Sequence, residues 1–149
     1  MNEDFVTFEL AKKLKEKGFD MACIYAYCEK GGWNSYTQKH EPITYILRTD
    51  GNPFGSYYTG KNWNKEYKTN KNKIQCSAPT ISQVLKWLRD EKKIHIMMAT
   101  YSHYPNNTHN WGYEIINLQT YTCEHYNCRF NSYEDAALAG IEYVIDNFI

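Results

Sequence analysis

Between Ser77 and Ile96 the chain spells out a capped helix that runs straight into a strand, and this pair of elements constrains the fold more than any other stretch. Thr80 is an N-cap residue whose hydroxyl can accept from the first helical turn, and Gln83, three residues on, can answer it. Ile81, Val84, Leu85 and Leu88 recur at i, i+3, i+4 and i+7, which gives the helix one apolar face. Lys92 and Lys93 follow, and Ile94-His95-Ile96 opens an alternating, β-prone run. A helix that must bury one face beside a strand belongs to a mixed α+β arrangement. The stretch holds no catalytic constellation.

The same reading extends outward in both directions. A first helix is expected from Asp4 or Thr7 to Lys17, with Val6, Leu10, Ala11 and Leu14 inward and Gly18 ending it, because glycine takes the left-handed conformation without a steric penalty. Residues 22–28 and 43–48 read as strands separated by the Gly31-Gly32 break. Asp50-Gly51-Asn52-Pro53 is a turn cluster, after which Ser56 to Thr59 can return as a hairpin partner. From Gly60 to Lys73 apolar content falls away, which predicts a polar surface loop. Ile94 to Tyr101 and Trp111 to Leu118 are expected to pair antiparallel, with Tyr121 to His125 as a further strand. Ser132 with Asp135 then caps a last helix striped by Ala137, Ile141, Val144, Ile145 and Phe148, in which Ala136 and Gly140 permit close approach.

The resulting order, α-β-β-(β)-α-β-β-(β)-α, predicts an α+β fold: a mostly antiparallel sheet covered on one face by about three helices, with the other face wet and aromatic. At 149 residues the chain is read as a single domain, 1–149, and no internal repeat or linker interrupts it. The aromatic share of 16% includes 14 Tyr, whose hydroxyls need a partner or water, so many of these rings are expected half-buried on strand faces. Seventeen basic and seventeen acidic side chains cancel, so no global field draws the protein to nucleic acid or anionic lipid. No apolar run reaches the roughly 20 residues of a membrane span. The acidic start, Met1-Asn2-Glu3-Asp4, lacks the basic character of a secretory signal, so a soluble protein of the cytoplasm is expected, without membrane contact. Five cysteines, an odd number, then favour reduced thiols over a disulfide framework.

Three segments carry a resemblance. Phe8-Glu9-Leu10-Ala11-Lys12-Lys13-Leu14-Lys15-Glu16-Lys17-Gly18-Phe19, the run from Ala78-Pro79-Thr80 through Trp87-Leu88-Arg89 to Ile96, and Ser132-Tyr133-Glu134-Asp135-Ala136-Ala137-Leu138-Ala139-Gly140-Ile141 resemble small uncharacterised proteins of bacteriophages and prophages of Bacteroidetes bacteria. The likeness covers about a third of the chain and lies in its helices. It implies a bacterial cytoplasm and an accessory role in a mobile element's dealings with its host. No reaction, ligand or catalytic residue comes with it.

Candidate chemistry is thin. Cys123, His125 and Cys128 form the densest group of metal-capable side chains, with His103, His109 and Cys76 as further donors, but tetrahedral zinc needs four converging ligands and the spacing matches no standard motif. No metal or other cofactor is expected. A thiol nucleophile needs a histidine within hydrogen-bond reach and a third group to orient it, which spacing does not supply. The best nucleic-acid signal is the basic loop: Lys61, Lys65, Lys68, Lys71 and Lys73 with Trp63 and Tyr67 interleaved and Glu66 opposing, since lysines neutralise phosphates and aromatic faces stack bases. The leading expectation is a non-enzymatic interaction protein that contacts a host or phage protein through these loop residues and aromatic surface. A nucleic-acid-binding accessory role for the basic loop is the alternative, and an enzyme with a Cys/His site is the third reading.

Overall fold

A computed structural model describes residues 4–48, 62–66, 74–103 and 108–149. It is α+β, with antiparallel strands throughout, and it forms two compact units: Val6–Pro79, and Thr80–Ile149 together with Met1–Phe5.

In the Val6–Pro79 unit, helix α1 spans Phe8–Glu16. Thr7 caps it by accepting from the Leu10 amide, and Leu10, Ala11 and Leu14 are buried. Gly18 adopts φ +83°, and the next residue, Phe19, returns its amide to Leu14 O at 2.9 Å. Strands β1 (Tyr25–Asn34), β2 (Lys39–Arg48) and β3 (Ile74–Ala78) form one sheet in the order β2-β1-β3. The Gly31-Gly32 pair does not break β1. It makes a bulge, with the register shifting between Lys30 and Gly32 and Gly31 at φ +112°. A side chain on Gly31 would meet Pro42 O at 2.2 Å, so glycine alone lets the two strands approach there.

Ser56 to Thr59, expected as a hairpin partner, lies outside the described residues. The third strand of this sheet, Ile74–Ala78, was not anticipated from the sequence; it lies beside β1 and pairs from Tyr25↔Ala78 to Cys28↔Ile74. The polar stretch before it also contains a helical turn, α2 (Trp63–Glu66).

In the Thr80–Ile149 unit, α3 spans Ile81–Glu91. Its capping box is complete: the Gln83 amide donates to Thr80 Oγ1 at 3.3 Å, and the Thr80 amide donates to Gln83 Oε1 at 3.0 Å. Such a cap stabilises a helix by about 1 kcal/mol. Ile81, Val84, Trp87 and Leu88 are its buried residues; Leu85 is half-buried at the margin of that face. Strands β4 (Ile94–His103), β5 (Thr108–Asn117) and β6 (Thr122–Phe130) form the second sheet, in the order β4-β5-β6. The strands therefore divide between two three-stranded sheets where the linear pattern points to one. Helix α4 (Tyr133–Asn147) is capped by Ser132, whose hydroxyl accepts from the Asp135 amide at 3.1 Å. Gly140 lies so close to the sheet that a Cβ there would meet Ile96 Cγ2 at 3.0 Å and the Tyr113 ring at 3.1 Å. No helix among the described residues is long and apolar enough to cross a membrane.

Candidate functional site

The second sheet has two chemically distinct faces, and strand alternation decides which side chain goes where. Ile94 and Ile96 on β4 and Tyr113 and Ile115 on β5 are buried on the side of α4. On β6, His125 and Asn127 pair with Ile115 and Tyr113 and so share that side. The His125 ring stacks on Tyr143 of α4 with centroids 3.9 Å apart.

The outward face carries His95, Met97, Ala99 and Tyr101 from β4, Gly112, Glu114 and Ile116 from β5, and Cys123 and Tyr126 from β6, as the register dictates. Met97 is 38% and Tyr126 66% exposed. Its centre is built by one ring. Tyr101 reaches across β5 so that its Cε2 lies 2.7 Å from where a Gly112 Cβ would be, and its hydroxyl donates to Glu114 Oε1 at 2.7 Å. Gly112 leaves the space that the ring occupies, a cross-strand arrangement in which an aromatic covers a strand glycine. The Glu114 carboxylate, by accepting that bond, pushes the Tyr101 phenol up to about 12, with burial adding to the effect. The phenol is thus held as a hydrogen-bond donor. Arg129 is the one Lys or Arg in β4, β5 and β6, and it is exposed at the bulged end of β6.

The residues singled out from sequence are distributed differently. Trp63 is 3% exposed, and its indole N–H donates to Cys23 O at 2.7 Å, so its ring is core and offers no face for stacking a base. Lys65 is exposed and paired with Asp20 at 2.9 Å. Lys61, Tyr67, Lys68, Lys71 and Lys73 lie outside the described residues. Cys123 is exposed and its thiol donates to His125 O at 3.7 Å, while Cys128 is half-buried. An extra residue, Glu124, separates the partners of Ile115 and Ile116, so the alternation that would have put Cys123 and His125 on one side is broken. Among the described residues no three His, Cys, Asp or Glu side chains converge to hold a metal ion, and the side chains of His103 and His109 lie outside them.

The remaining thiols, Cys23, Cys28 and Cys76, are buried in the Val6–Pro79 unit. Burial pushes both Cys23 and Cys76 up to about 12, which keeps them protonated and unreactive as nucleophiles. A cavity of about 200 Å³ in the second unit has Ile94, Ile115 and Phe148 in its apolar wall and Lys92 and Glu124 among its polar residues.

The chain matches no family model, no curated protein and no solved structure. Its function must therefore be argued from the surface itself. Tyr101, Glu114, Met97 and Tyr126 escaped the sequence reading because their common face depends on how β4, β5 and β6 are aligned. The period-two alternation of His95, Met97, Ala99 and Tyr101 was the one linear signal for it.

Proposed function

We propose that the chain is a small non-enzymatic binding protein whose contact surface is the outward face of the second sheet and whose partner is another protein. The observation that carries this reading is the makeup of that face: Met97, Tyr101, Ile116, Cys123 and Tyr126 gather around Glu114. Aromatic and methionine side chains are enriched where proteins meet, and Tyr101 is already held in place by its bond to Glu114, which lowers the entropy lost on docking. A nucleic-acid backbone would call for several cations here to replace released counterions, and the three strands supply one, Arg129. In the setting that the sequence resemblance implies, the partner is a host or phage protein.

The test is native affinity capture from bacterial lysate with the intact chain and with Met97→Glu and Ile116→Lys variants, each with and without nuclease. A protein retained by the intact chain, insensitive to nuclease and lost with both variants is expected. Capture that survives both substitutions, or that disappears with nuclease, overturns the reading.

A further inference from the structure

Glu114 stands at the middle of the outward face, on β5, the central strand of its sheet. The register sets Met97 of β4 directly opposite it on one side and Tyr126 of β6 directly opposite it on the other. The residue is half-buried, and its Oε1 accepts from the Tyr101 hydroxyl at 2.7 Å. Among the described residues it makes no ion pair, and Oε2 accepts no hydrogen bond. A carboxylate is therefore flanked by a thioether and two phenol rings and answered by one neutral donor.

A partner that covers Met97 and Tyr126 covers Glu114 as well, because directly opposed side chains lie about 5 Å apart. Withdrawing a carboxylate from water is costly unless a charge and further hydrogen bonds answer it, and a single hydroxyl supplies no charge. The surroundings select the cation. Tyr126 is 66% exposed, so its ring face is open to a planar group. A guanidinium stacks on aromatic faces, reaches a carboxylate with N–H groups in its own plane and is more weakly hydrated than an ammonium. A lysine ammonium is a strongly hydrated point charge that loses more water when Met97 and the rings close round it.

We propose that the outward face docks its protein partner through one arginine, whose guanidinium bonds Glu114 and stacks on Tyr126 beside Met97. The proposal rests on the binding reading above and names the chemistry of that partner. Tyr101 is the positioning residue: by donating to Oε1 it fixes the carboxylate and leaves Oε2 as the acceptor for the incoming N–H.

The experiment titrates the intact chain, isotope-labelled at the methionine methyls and backbone amides, with the capped pentapeptide Ala-Leu-Arg-Leu-Ala and with two counterparts carrying citrulline or lysine in place of arginine. Citrulline keeps the shape and removes the charge. Saturable magnetic-resonance shifts at the Met97 methyl and the Tyr126 amide are expected with the arginine peptide, with affinity at least about tenfold weaker for citrulline and about threefold weaker for lysine. Glu114→Gln, which keeps an acceptor for Tyr101, is expected to weaken the arginine peptide about tenfold, and Tyr126→Ala about fivefold, with far-UV circular dichroism as the control for folding. No saturable shift, equal affinity for the citrulline peptide, tighter binding of the lysine peptide or indifference to Glu114→Gln overturns the proposal. In the affinity capture described above, Glu114→Gln is expected to lose the same protein as Met97→Glu and Ile116→Lys. Loss with those two and retention by Glu114→Gln overturns the arginine contact while the docking face stands, whereas retention by all three removes the binding reading and the proposal with it.

Discussion

Tyr101 and Glu114 are joined across adjacent strands by a 2.7 Å hydrogen bond, with the phenol as donor. Bonded to a carboxylate, the phenol loses its proton less readily than the ordinary tyrosine at 10.0 and titrates at about 12. Its proton is retained in the folded state through a range where the unfolded chain releases it. The corresponding stability is fully present below about pH 10 and is lost as pH rises through about 12. Ultraviolet titration of the intact chain against Glu114→Gln is expected to show one phenol moving down toward the ordinary value in the variant. Identical titration curves would show that the bond is absent in solution.

Gly112 sits beneath that ring. A methyl group there would meet Asn127 O at 2.6 Å, Cys128 Cα at 2.7 Å and Tyr101 Cε2 at 2.7 Å. The first two atoms are backbone and cannot swing aside, so Gly112→Ala is expected to destabilise by about 1–3 kcal/mol in urea unfolding. Removing the ring as well, in Gly112→Ala with Tyr101→Ala, should leave most of that loss in place. Full recovery in the double variant would mean that the side chain, and not β6, limits the space.

Trp63 anchors a four-residue helical turn to the core of its unit through the Cys23 carbonyl. Trp63→Phe keeps most of the apolar area and removes the donor, leaving that carbonyl unanswered at a buried site, which costs about 1–3 kcal/mol. Trp63→Ala adds a cavity and is expected to cost about 3–5 kcal/mol. Chemical denaturation followed by circular dichroism measures both. A surface role for this ring would leave each variant within about 0.5 kcal/mol of the parent.

The parts of the fold that were legible in the sequence are the ones governed by neighbours a few residues away. Thr80 and Gln83 form their reciprocal cap, Ser132 receives the Asp135 amide, Gly18 turns left-handed after α1, and Gly140 meets the sheet as its small size allows. The β4-β5 hairpin also pairs as its alternation implies. Gly31-Gly32 was misleading for a physical reason: two glycines signal a turn when read alone, yet beside Pro42 they accommodate a close strand approach.

Caps, stops and apolar stripes were determined by the sequence alone, because each rests on hydrogen bonds and periodicity within a single turn or strand. Tertiary structure decided the division of strands between two sheets, the recruitment of Ile74–Ala78 beside β1, the burial of Trp63 and the assembly of Tyr101, Glu114 and Tyr126 on one face. Each of these depends on contacts between residues distant in the chain, where a one-residue change of register reverses which side chains face the core.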